Sequence, residues 1–287
     1  MLLTVLGTLP LPLLHMLAVI AGLLLALVPN KLARLSRIHM RYCLPGQPWA
    51  TQQWIVLRSL VHSMAATLEA PAIWFGPRAR LRRWLRAPEA AAQLQTLRAA
   101  GKGVIWLCPH WGAWELAGMF CAAQGPMTSV YKPQKGAMDA LILLGRTRLG
   151  ARLVPTDVQG VRLVLSALRR SEMVGILPDH DPPEGSGVFA PFFGQPAHTM
   201  ELVGKLAQRS AAPVWFCLAE RRLFRGFRIV LLPAPAAVAD AALAPMALNA
   251  GVEQVVLRDP GQYWWGYERY RRQPLGGVSP YARHGGR

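Results

Sequence analysis

Residues 104–123 constrain the fold more than any other stretch. Val104-Ile105-Trp106-Leu107 is a short, wholly apolar run behind Gly101-Lys102-Gly103, the pattern of a strand buried inside a sheet. Pro109 has no ladder donor and ends the run. From Gly112 onward Trp114, Leu116, Ala117, Phe120 and Cys121 recur at helical spacing. His110 therefore stands at the carboxyl end of a strand, just before a helix, where open α/β sheets place ligands and chemistry. Inside one continuous helix, His110 and Glu115 would lie about 140° apart. With His110 still in the loop, a carboxylate in the first helical turn can fold back to the imidazole, and it suits the positive end of the helix dipole. The pair reads as a general base with its carboxylate orienter, although the same spacing also arises by chance around structural histidines.

Strand and helix patterns alternate over residues 100–232. Strands are expected at 128–131, 152–155 and 173–177, with helices at 137–150 and 159–170 between them. This predicts an α/β fold with a mixed, mostly parallel central sheet flanked by helices. A helix is expected over 51–69, ended by Pro71 and Gly76-Pro77, with His62 on its surface or in a groove. A further helix is expected over 199–210, capped by Thr199. Two strands, 213–219 and 227–232, flank a basic turn at Arg221-Arg222, and a helix follows over 246–257. The second strand end that carries polar residues is Pro178-Asp179-His180-Asp181. It can ligate a divalent metal, position a polar headgroup, or simply cap its strand. Gly187 to Gly194, with Phe192 and Phe193, is apolar for a loop and suits either an alkyl groove or core packing.

Charge and hydropathy narrow the class. The net charge is +17, yet only 16% of residues are charged, and the mean hydropathy is +0.22. Basic and apolar together suit an anionic membrane surface or acidic amphiphiles. No helix-turn-helix, zinc finger or RNA-binding motif supports a nucleic-acid partner. Met1 to Asn30 contain no Lys, Arg, Asp or Glu, and Lys31, Arg34, Arg37 and Arg41 follow. The stretch reads as an uncleaved membrane anchor over residues 1–30, with the remainder on the cytoplasmic face. Pro10 and Pro12 are expected to break or kink it, leaving a re-entrant or interfacial segment, or a signal peptide, as alternatives. Arg78 to Arg86 interleaves Leu81, Trp84 and Leu85 with arginines, as a basic amphipathic segment on anionic lipid does. Four cysteines without CxxC spacing read as cytoplasmic thiols.

Several blocks together resemble a known family, the lipid A late acyltransferases (lauroyl and myristoyl transferases) of the glycerophospholipid acyltransferase-like group. The blocks are His110 to Glu115, Tyr131-Lys132-Pro133 with Arg146 in the next helix, and Pro178-Asp179-His180-Asp181. Val188 to Gly194 and Pro260 to Tyr270 complete them, so the resemblance covers roughly residues 51–281. The chain departs from the family pattern at Pro109, Ala113, Gly261 and the Pro182-Pro183-Glu184-Gly185 loop.

The resemblance implies an acyltransferase domain over 31–287 at the cell inner membrane. It implies acyl carrier protein as acyl donor and an anionic, phosphorylated glycolipid as acceptor. No metal or other cofactor is expected. His110 and Glu115 would be catalytic, and Lys132, Arg146, Asp179, Asp181, Phe192 and Phe193 would bind substrate. Oxyanion donors would come from backbone amides at the helix start, Lys132 or Arg146. An acyl-enzyme on Cys108, a thioesterase, a lipid-binding protein, and a lysophospholipid or amino-acid lipid acceptor remain as alternatives.

Overall fold

The computed structural model describes residues 6–134 and 136–282. Three helices come first: α1 (Leu11–Leu27), α2 (Lys31–Cys43) and α3 (Trp49–Phe75). Short helices α4 (Arg78–Trp84) and α5 (Pro88–Ala99) lead into β1 (Val104–Leu107). The chain then alternates through α6 (Trp114–Ala123), β2 (Met127–Val130), α7 (Ala137–Arg146), β3 (Arg152–Val154), α8 (Val158–Arg169) and β4 (Met173–Ile176). A hairpin, β5 (Gly187–Phe192) with β6 (Gln195–Met200), precedes α9 (Leu202–Ser210). Strands β7 (Val214–Arg222) and β8 (Gly226–Pro233) and helix α10 (Ala244–Arg258) close the fold.

Six strands form the main sheet in the order β3-β2-β4-β1-β7-β8. Every neighbouring pair is parallel except β7 with β8. The sheet is thus mixed and mostly parallel, as the alternating pattern predicts. β1 is central and buried along its whole length, which is why it reads as an unbroken apolar run rather than an alternating one. Its side chains still alternate between layers. Ile105 and Leu107 pack with α8, α9 and α10, whereas Val104 and Trp106 pack with α5 and α6.

The two prolines near the amino terminus do not interrupt α1. Pro10 is its cap residue and Pro12 lies in its first turn, where a missing N–H removes no helical bond. Nor does Pro71 end α3, which continues to Phe75 and stops at Gly76. Packing of Ile73 and Trp74 into the core offsets the one lost hydrogen bond. α1 lies against α3 so closely that a Cβ on Gly22 would sit 2.6 Å from Val61 Cα. Its opposite face exposes Met16, Ile20, Leu24 and Leu27. Among the described residues no single helix is long and apolar enough to cross a membrane, and α1 and α2 meet at a 75° bend.

Three further expectations change. Residues 187–194 form a β-strand and its turn, paired with β6, rather than a loop. Thr199 belongs to β6, with its hydroxyl on Ala197 O, so it caps no helix. Arg221 and Arg222 lie within β7, not in a turn, and Arg221 is buried.

Candidate active site

The parallel register builds the site. Leu107 of β1 stands beside Ile176 of β4. Three residues further along each chain, beyond the strand ends, His110 and Asp179 meet. His110 Nδ1 lies 2.9 Å from Asp179 Oδ1. The His110 backbone N–H donates to Asp179 Oδ2, also at 2.9 Å. Burial alone would raise the Asp179 pKa. The charge of His110, the hydrogen bonds it donates and the nearby His180 hold it well below the usual carboxylate range instead. An ionised carboxylate only accepts, so Nδ1 carries the proton and Nε2 the lone pair. Nε2 makes no hydrogen bond among the described residues. That is the arrangement of a general base held in one tautomer.

Aromatic rings fix the imidazole from its sides. His180 stacks on it at 4.1 Å between ring centroids, and Trp114 and Trp264 lie at 5.2 and 5.6 Å. The His110 carbonyl accepts from Trp264 N–H at 2.9 Å. Burial and the charge of His110 push His180 down to about 3, so it stacks as a neutral ring. Lys132 is exposed, and its charge adds to that depression.

Glu115 does not hydrogen-bond to His110, contrary to the expectation from spacing. Its Oε2 accepts from Trp74 Nε1 and Arg146 Nε, each at 3.0 Å, and Arg146 Nη2 donates to Oε1. Glu115 is the first acidic residue of α6, and the ring of Trp114 rather than the carboxylate faces the imidazole. Arg146 is correspondingly engaged through Nε and Nη2 in an ion pair with Glu115. Burial would raise the Glu115 pKa, but the Arg146 charge, the Arg146 and Trp74 hydrogen bonds and His110 lower it overall. A lowered folded-state pKa means stability present above the ordinary carboxylate range and lost as pH falls through it. Glu115→Gln is therefore expected to cost roughly 1–3 kcal/mol at neutral pH and to flatten the acid limb. Urea unfolding of both proteins from about pH 3 to pH 7 checks this, and parallel curves would contradict it.

The other sequence candidates separate. Asp181 faces away from His110. It pairs with His198 Nδ1 at 2.8 Å, Arg271 Nη2 at 2.9 Å and Arg272 Nε at 3.2 Å. Asp179 and Asp181 thus serve different partners instead of converging on one ion. Among the described residues no cluster of three or more His, Cys, Asp or Glu is placed to hold a metal. Phe192 is core, with Tyr270 and Arg269 against its ring. Phe193, at positive φ, follows it at the hairpin turn.

An apolar cavity lies elsewhere, and Trp114, whose ring meets His110, is on its wall. It is walled by Trp114, Gly118, Met119, Met127, Leu153 and Ile176, with Glu115 and Arg146 alongside. Cys108 is on its wall but buried, as are the free thiols of Cys121 and Cys217. Sequence reasoning missed Asp179 as the partner of His110. The available signal was two parallel strands, each running into a Pro two residues after its last apolar pair. It also missed the Trp74 contact to Glu115, for which the sequence carries no local signal.

Comparison with known proteins gives the family. Residues 1–272 match the family model for bacterial lipid A biosynthesis acyltransferase. The chain is 26% identical over 278 residues to the lipid A biosynthesis lauroyltransferase of Escherichia coli K12, covering 95% of this chain and 90% of that protein. It is 25% identical over 251 residues to the palmitoleoyltransferase of the same organism, with 86% and 81% covered. A lipid A biosynthesis acyltransferase of Haemophilus influenzae shares 28% over 237 residues, with 80% and 73% covered. With the His110 site at the sheet's carboxyl edge and a match across nearly its whole length, this chain belongs to the bacterial lipid A biosynthesis acyltransferase family.

Proposed function

We propose that this protein transfers a fatty acyl group from an acyl carrier protein thioester to a hydroxyl of a phosphorylated lipid A precursor. The observation that carries the reading is His110, held by Asp179 with Nε2 unpartnered and its ring against Trp114, which walls an apolar cavity. Nε2 removes the acceptor hydroxyl proton, and the oxygen attacks the thioester carbonyl. The tetrahedral oxyanion collapses with loss of the carrier thiolate, which takes the proton from the imidazolium. The backbone amides of Trp114 and Glu115, at the start of α6, make no hydrogen bond among the described residues. They and the Lys132 ammonium are the donors available to the oxyanion. The acyl chain occupies the apolar cavity walled by Trp114, Met119, Met127 and Ile176.

The net charge of +17 suits two acidic partners, a carrier protein and a phosphorylated glycolipid. The exposed apolar face of α1, with Arg78, Arg82 and Arg83 exposed on α4, suits the anionic inner-membrane surface on the cytoplasmic side. Arg80 of α4 donates to the carbonyls of Gly7, Thr8 and Leu9, which sets α4 beside the amino-terminal end of α1. The relatives are named for lauroyl and palmitoleoyl transfer, so acyl chains of that kind are the donors to test first. The deciding assay supplies acyl carrier protein thioester and a lipid A precursor in vesicles. A more highly acylated lipid is the expected product. Free fatty acid alone would replace the reading with a thioesterase, and acylation of added lysophospholipid in its place would change the acceptor.

A further inference from the structure

A second polar network lies on the far side of the catalytic turn, and nothing in the reaction above uses it. Arg221 of β7 and Glu69 of α3 are both fully buried at their side chains. Arg221 donates from Nε to Glu69 Oε1 at 2.7 Å and from Nη2 to Glu69 Oε2 at 2.8 Å. The same Nη2 donates to the carbonyl of Gly112 at 2.9 Å, and Nη1 lies 3.1 Å from His62 Nδ1. His62 is buried, not on the surface or in a groove as its helix pattern suggests. Burial, Arg221 and Arg58 hold its pKa well below the ordinary value, so it accepts as a neutral ring. The last member comes from the amino-terminal helix. His15 of α1 is fully buried, with Nε2 2.8 Å from Glu69 Oε1 and Nδ1 accepting from Phe224 N–H at 2.7 Å. A ring that accepts at Nδ1 donates at Nε2, so every contact in the chain is complementary.

Gly112 is the turn that presents His110. Its φ is +61°, and a Cβ there would lie 2.3 Å from Ala219 O. Its N–H donates to Gln262 O, and the next amide, Ala113 N–H, donates to Ala219 O. Arg221 holds the one remaining group, the Gly112 carbonyl. An apolar residue in place of His15 would still let α1 pack, but Glu69 would lose one donor and the β7–β8 turn its acceptor. A buried ion pair with one partner missing shifts to find another, and here the adjoining partner is the catalytic turn.

We infer that His15, Glu69 and Arg221 form a positioning chain that ties the seat of α1 to the turn presenting His110. The consequence for catalysis rests on the acyltransferase reading above. α1 then acts as part of the catalytic fold, with its inner face setting His110 while its outer face meets lipid. Removing the link is expected to slow turnover without weakening substrate or membrane binding.

The test uses the full chain on vesicles of phosphatidylethanolamine and phosphatidylglycerol carrying the acceptor. It compares wild type with His15→Leu, which removes both hydrogen bonds, and His15→Gln, whose amide can donate to Glu69 and accept from Phe224 N–H. For His15→Leu, kcat is expected to fall about 10- to 100-fold, as for a small misplacement of a reacting group. Both KM values should stay within about twofold, vesicle flotation should not change, and His15→Gln should recover to within about threefold of wild type. Hydrogen exchange of residues 110–113 should quicken about tenfold while β1 and β4 keep wild-type protection. Wild-type kcat together with wild-type exchange in His15→Leu overturns the inference, as does a loss confined to KM or flotation. Should His15→Leu not fold, Arg221→Lys, which cannot reach Glu69 and Gly112 with one fork, is read the same way. Should wild type transfer no acyl group, the acyltransferase reading fails, and the exchange data still decide whether the chain positions the turn.

Discussion

Replacing His110 with alanine lowers kcat for acyl transfer by about 10²- to 10⁴-fold, the usual worth of a positioned general base. At 1.36 kcal/mol per decade that is about 3–5 kcal/mol of transition-state stabilisation. The imidazole acts in the proton transfer rather than in ground-state binding, so KM should change little. Single-turnover transfer in vesicles, with melting temperature as the control for folding, measures it. Activity within a few-fold of wild type would remove His110 from the mechanism. Cys108, on the cavity wall, would become the residue to test for a covalent intermediate.

Asp179→Asn is the second large effect, and it separates two carboxylates that the sequence alone does not separate. Asparagine keeps the shape at this buried position but loses the charge that stabilises the imidazolium. Its amide can also turn a donor toward Nδ1 and so select the wrong tautomer. In histidine–carboxylate pairs of this kind the exchange costs up to about 10⁴-fold in kcat. Glu115→Gln should cost less turnover, because Glu115 bonds Arg146 and Trp74 rather than the imidazole. Measuring kcat for both variants in one assay decides the assignment. A larger loss in Glu115→Gln than in Asp179→Asn would restore Glu115 as the orienter of His110.

The two carboxylates show what kind of information a sequence carries. His110 and Glu115 are near in the chain, and the local pattern correctly sets one in the loop and the other in the first turn of α6. Which of Glu115 and Asp179 reaches the ring depends on a parallel strand pair whose members lie 69 residues apart. The alkyl groove shows the same limit. Phe192 and Phe193 are apolar in an exposed-looking segment, but hairpin pairing with β6 turns Phe192 into the core. The cavity is instead assembled from residues of α6, β2, β3 and β4 that are far apart in the chain. His62 and Arg221 look like surface residues because their burial depends on each other and on Glu69.

By itself the sequence determined the α/β class, the position of β1 and the strand-end setting of His110 and Asp179. These follow from hydrophobic periodicity, glycine and proline, which act over a few residues. It also determined the charge-free amino terminus and the basic balance of the whole chain. Only the tertiary structure decided which carboxylate holds His110, that Arg146 serves Glu115, and that α1 reaches the catalytic turn through His15. Those contacts depend on sheet register and on buried charges finding partners far away in the chain, and no local propensity encodes either.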